Sequence, residues 1–220
     1  MKILDLPISA KYERVIPKNA FDEYTNTKQK TLFKDQVLRI TWLYKLSKDT
    51  VNLSYEAIDE LHVFVVELKE CTTIKPILEI IDKAIPYHII FVVRYDNESY
   101  VSTSAKHIQK GDVDMAVIDH TFLSDWYSDD ELPYSINLQE SIDSSYKDFC
   151  SQLCDRQISP DMSLADLVAE EVEIRKIKNE IKLLKSKVKK CKQFNKKVEL
   201  NMQLKKVEKG LEKYYIATKK

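Results

Sequence analysis

The chain is short of glycine, with two residues in 220, and Gly111 and Gly210 each stand alone. Loops that close backbone N–H groups around phosphates need glycines in series, and neither the Walker nor the dinucleotide spacing occurs. Conventional nucleotide hydrolysis and nicotinamide chemistry are therefore unsupported. Cysteine is also sparse: of Cys71, Cys150, Cys154 and Cys191, only the middle two are close, at C-x3-C. Structural zinc usually takes two ligand pairs, so Cys150 and Cys154 read as reduced residues on one helical face. The longest apolar run, residues 89–93, is too short to cross a bilayer. No secretory leader is recognisable at the start, and the expectation is a soluble, cytoplasmic protein without a membrane partner.

Net charge is absent too, because 35 Lys+Arg balance 35 Asp+Glu. That zero is a sum of unequal parts. Residues 1–111 carry 16 basic and 15 acidic side chains, residues 112–174 carry 2 and 16, and residues 175–220 carry 17 and 4. The partition implies a dipolar molecule whose last 46 residues meet acidic surface, their own or a partner's.

A hydrophobic content of 44%, with 12 Tyr, 7 Phe and 2 Trp, is enough for a core. After an extended stretch from Leu4 to Pro17, a helical pattern opens at Asn19, Ala20 and Phe21. From Lys28, apolar residues at Leu32, Phe33, Val37, Ile40, Leu43 and Tyr44 recur every three to four positions, predicting an amphipathic helix to Leu46. Residues 50–53 read as a short strand. Residues 61–69 (LHVFVVELK) and 87–95 (YHIIFVVRY) read as buried strands flanking a helix over 74–84 that Pro86 closes, a possible βαβ unit. A turn at 96–98 leads into a strand at 99–104, a further strand follows at 115–122, and 139–157 reads as a helix.

From Ser163, a candidate helix cap, apolar residues at Leu164, Leu167, Ile174, Ile177, Ile181, Leu184, Val188 and Cys191 alternate as in a coiled coil. The register then slips to Phe194, Val198, Leu204, Val207, Leu211 and Tyr214. Either one rod of about 75 Å contains a stutter, or a turn near 193–195 makes an antiparallel hairpin that buries one stripe on the other. The expected fold is thus α/β (α+β): a small mixed sheet flanked by helices over 1–137, a helix and linker over 138–162, and a basic coiled-coil or hairpin module over 163–220.

Four constellations carry chemistry. Glu67 and Lys69, an E-x-K at the end of a buried strand, match the third strand of a PD-(D/E)XK nuclease core, where the acid helps hold Mg²⁺ and the lysine stabilises charge at the attacking water. The upstream acid would have to be Asp49, Asp59 or Glu60; without it the pair is a strand reaching solvent. His62, His88, His107 and His120 are scattered, without metal-ligand or catalytic spacing. Asp125, Asp129, Asp130 and Glu131, around Trp126 and Tyr127, form either a docking surface for a basic partner or a solvated loop. Lys185, Lys187, Lys189, Lys190, Lys192, Lys196 and Lys197 form a basic helical face able to displace counterions from a phosphate backbone or to pair with carboxylates. They lack the arginines and aromatics that read bases.

The strings 16–18 (IPK), 39–42 (RITW) with Lys45 and Leu46, 63–69 (VFVVELK), 81–91 (IDKAIPYHIIF) and 192–201 (KQFNKKVELN), in this order, resemble the bacterial and archaeal domain of unknown function family numbered 4391. The resemblance assigns no catalytic residue. What it implies is context: such proteins accompany DNA methyltransferase and helicase genes, as in restriction-modification or phage-defence loci. The resulting expectation is a non-catalytic adaptor, with no cofactor, that docks a helicase, a methyltransferase or nonspecific nucleic acid. Its alternatives are a Mg²⁺-dependent nuclease using Glu67 and Lys69, and a structural homodimer joined through the C-terminal helices.

Overall fold

A computed structural model describes residues 3, 5–108 and 116–216. The expected strand start at Met115, the start of the extended stretch at Leu4, and Gly111 lie outside the described residues. Two compact units divide the chain, Met1–Leu153 and Cys154–Lys220.

In the first unit a seven-stranded sheet runs β1 (Lys11–Ile16), β2 (Val37–Ser47), β3 (Glu60–Leu68), β4 (His88–Tyr95), β5 (Glu98–Ile108) and β6 (Ala116–Leu123) in spatial order. A two-residue β7 (Tyr127–Ser128) pairs with β5. Among the described strand pairs only β3 and β4 are parallel, with Phe64 opposite Phe91. Helix α3 (Lys75–Ala84) bridges them, as the βαβ pattern requires. Its Ile77, Leu78, Ile80 and Ile81 pack with Phe64, Val66, Phe91 and Val93. Ile90, on the opposite face, stands in register with Thr103. There Tyr146 of α4 (Ile142–Gln152) hydrogen-bonds the Thr103 hydroxyl at 3.0 Å. The Asp143 carboxylate holds the approach to β3 by accepting the backbone N–H groups of Glu56, Ala57 and Ile58 at 2.8, 3.0 and 3.0 Å.

The helix expected to run to Leu46 is corrected. Helix α1 (Thr27–Gln36), closed at its start by an Asn26–Gln29 capping box, stops before β2. Residues 37–47 are rich in β-branched and aromatic side chains, and as a strand their backbone groups are taken by β1 on one side and β3 on the other. A helix there would leave the core strand β3 with an unpaired edge. A bulge between Trp42 and Tyr44 interrupts the alternation, which is why the spacing resembles helical spacing. The expected strand at 50–53 is likewise corrected: residues 48–51 form a helical turn, α2 (Lys48–Val51), after a Ser47–Thr50 capping box. Residues 18–24 form a 3-10 turn.

The second unit is a helical hairpin of α5 (Leu164–Lys190) and α6 (Phe194–Ile216). The slip in the apolar register is a turn, and the single rod is excluded. Helix α5 buries Leu167, Ile174, Ile181 and Leu184. Ser163 Oγ caps it, accepting the Asp166 N–H at 3.1 Å.

Candidate functional site

The E-x-K pair sits at the carboxyl end of β3. Glu67 lies in register between Arg39 of β2 and Arg94 of β4. Arg39 clasps its carboxylate with two groups, Nε on Oε2 and Nη2 on Oε1 at 3.0 Å. Lys69, just past the strand, donates from Nζ to the Lys34 carbonyl at 2.7 Å and from its backbone N–H to the Gln36 carbonyl at 2.9 Å. It thereby serves the carbonyl-rich end of α1, a usual place for a cation. Of the upstream acids, Glu60 is occupied by Lys45 at 2.6 Å and His62 at 3.0 Å. Among the described residues no three His, Cys, Asp or Glu side chains form a group able to hold a metal. Mg²⁺ binding at Glu67 would have to displace a bidentate guanidinium and would gain no protein co-ligand from such a group.

The acidic block is divided. Asp129 pairs with Arg94 and donates its backbone N–H to Asn97 at 2.8 Å, while β7 is stitched to Glu98 and Ser99. Trp126 is half-buried, edge-on to Tyr100 with centroids 4.8 Å apart. Asp125, Asp130 and Glu131 remain exposed. Sequence spacing could not find Arg94 as the partner of Asp129, 35 positions away, or Arg39 as the partner of Glu67.

The histidines do not converge. His62, 3% exposed, is sandwiched in an aromatic row from Tyr12 to Trp42 to His62 to Tyr87, with centroids 4.2, 4.5 and 5.0 Å apart. Burial pushes its pKa down to about 4 against the opposing pull of Glu60. His88 packs on Tyr146 at 4.7 Å and is also held near 4 by burial. His107 bonds Asp119 at 2.9 Å, and His120 meets Phe122 edge-on. None of the four cysteines is in a disulfide. Cys154 lies beyond the end of α4, so the shared helical face expected with Cys150 does not form.

The hairpin is where unsatisfied charge collects. Near its open end Arg156, buried at the side chain, binds Glu170 at 2.8 Å and Glu171 at 3.1 Å. Asp155 takes Lys178 at 3.1 Å and the Tyr215 hydroxyl at 2.9 Å, which fixes the two helices antiparallel. Closer to the turn, Lys185 meets Glu208 at 3.0 Å. Beyond that, Lys187, Lys189, Lys190, Lys192, Lys196 and Lys197 are exposed, and among the described residues none has an ion-pair partner. The first turn of α5 carries Asp166 and its last turn Lys187, Lys189 and Lys190, signs that suit the helix dipole.

Among the described residues the geometry therefore offers a basic tip, and no group of three metal-ligating side chains. No helix among the described residues is long and apolar enough to cross a membrane. No curated protein and no solved structure matches the chain. A family model does: described as Domain of unknown function (DUF4391), it matches residues 4–211, nearly the whole length, and the chain belongs to that family.

Proposed function

We propose that the protein is a non-catalytic interaction subunit that docks an acidic partner through the tip of its helical hairpin. One observation carries the reading. Eight lysines between residues 182 and 197 are all exposed, no acid lies among them, and only Lys185 is neutralised within the described residues. Like charges this dense repel one another and raise the cost of the isolated state, so a carboxylate- or phosphate-rich surface would relieve it. The family context makes a DNA methyltransferase or helicase of a restriction or defence locus the proposed partner, with nonspecific nucleic acid contact as the other acidic surface available.

Co-purification of the full chain from its native locus tests this. The wild type is expected to retain a partner at low salt, and a variant with Lys187→Glu, Lys190→Glu, Lys196→Glu and Lys197→Glu to lose it. Duplex DNA is tested in parallel by anisotropy at about 50 and about 200 mM salt, where phosphate contacts give a steep loss of affinity. A wild-type chain recovered alone, with no DNA affinity at the lower salt, would overturn the reading.

A further inference from the structure

The hairpin has opposite charge at its two ends. Residues 154–173, at the open end, carry six acidic side chains and one basic, of which Asp155, Glu170, Glu171 and Glu173 are ion-paired to Lys178, Arg156 and Lys176 of the same unit, while residues 182–197, at the closed end, carry eight lysines and no acid. Helix α5 runs about 40 Å between the two ends. One lateral face is also unfinished. Phe194, Val198 and Met202 recur every four residues, so they form one stripe on α6, and they are 79%, 43% and 67% exposed. Exposed Lys205 and Lys209 continue that stripe toward the open end. At the open end α5 shows small apolar residues between its acids, with Ala165 and Ala169 exposed and Val172 half-buried.

We propose that two copies of this chain pair through their hairpins, side by side and antiparallel, as a four-helix bundle in which each basic tip lies along the acidic open end of the other. A two-fold axis makes the arrangement self-complementary, since whatever one copy offers the other returns. Parallel pairing would set eight lysines against eight. The apolar stripe selects a protein occupant over a nucleic acid, because a phosphate backbone has nothing to cover Phe194, Val198 and Met202, whereas the open end has small apolar positions next to its carboxylates. A face about 40 Å long and roughly two helices wide is on the order of 800 Å², the area a standard interface needs from each partner. The inference rests on the charge order of the hairpin together with its apolar stripe, and does not depend on which partner protein the tip would otherwise dock.

Sedimentation velocity of the full chain over a range of concentrations and salt decides it. The wild type is expected to dimerise at low salt and to weaken at least tenfold when salt is raised. A Phe194→Glu/Met202→Glu variant is expected to be monomeric. So is a tip variant with Lys187→Glu, Lys190→Glu and Lys196→Glu, and so is a base variant with Asp161→Lys and Glu173→Lys. Mixing the tip and base variants is expected to restore a mixed dimer, because the unaltered tip of the base variant then meets the unaltered open end of the tip variant, a contact that neither variant can make with itself; a misfolded variant could not be rescued in this way. The proposal fails if the wild type is monomeric at about 100 μM in low salt, far above useful affinities. It also fails if a dimer ignores the charge reversals, if mixing rescues nothing, or if association appears only on adding duplex DNA or anionic vesicles.

Discussion

The Lys106 ammonium closes the carboxyl end of α3: its Nζ lies 2.7 Å from the carbonyl oxygens of Asp82 and Ile85 and 2.8 Å from Asp82 Oδ1. Both side chains are almost fully enclosed, at 1% and 2% exposure. Burial pushes Asp82 up and Lys106 down, while each opposes the shift of the other. With three acceptors for three ammonium protons, we assign the ionised pair. Lys106→Met would strand a carboxylate and two carbonyls and is expected to cost about 3–5 kcal/mol. A Lys106→Met/Asp82→Leu double variant should recover much of that. Urea unfolding of the four species measures it, and strictly additive losses would show that the two side chains do not act as a pair.

The Arg39–Glu67 clasp makes a different claim. Arg39 is largely exposed, so solvent screens the pair, and Glu67→Gln should leave stability nearly unchanged. Millimolar Mg²⁺ should leave the melting temperature of wild type and variant alike. A Mg²⁺-dependent rise in the wild type that Glu67→Gln abolishes would instead identify a metal site and revive the nuclease reading.

His62 gives the fold a defined acid sensitivity. Its folded pKa of about 4 lies below the value of 6.5 for a free imidazole, so the unfolded chain binds the proton first. The contribution of neutral His62 is complete above about pH 6.5 and is lost as pH falls toward 4, by about 3 kcal/mol in total. His62→Gln, which keeps a donor for Glu60, should flatten the stability curve in that window. An unchanged slope between pH 6.5 and 4 would assign the acid sensitivity to other groups, His88 first among them, since burial holds it near the same value.

The parts of the fold that were legible in the sequence are those where local pattern and tertiary need agree. Strands β3 and β4 are continuous apolar runs because both faces are covered, and α3 shows its periodicity between them, so the βαβ unit follows directly. Strand β2 was illegible because its bulge disguises the alternation and only its neighbours decide its state. The candidate site divides in the same way. The lysines of the hairpin tip are contiguous in the chain and exposed, hence visible. The fate of Glu67 depends on Arg39, 28 positions away, and that of Asp82 on Lys106, and no spacing rule brings either pair together. The turn between α5 and α6 has neither glycine nor proline, so its only trace was the slipped stripe.

That turn can be tested with the residue its sequence lacks. Cys191 leaves α5 with φ −75° and ψ 123°, the extended backbone that a following proline requires. No hydrogen bond from the Lys192 N–H is present among the described residues. Lys192→Pro should therefore be nearly neutral, shifting stability by less than about 1 kcal/mol, because it removes no helical bond and stiffens the unfolded chain. In a continuous rod the same proline would sit in the helix interior, where it costs about 3 kcal/mol or more and kinks the axis. Helical circular dichroism and thermal unfolding of the full chain separate the two outcomes. A loss of several kcal/mol with reduced helicity would mean that α5 and α6 are continuous in solution.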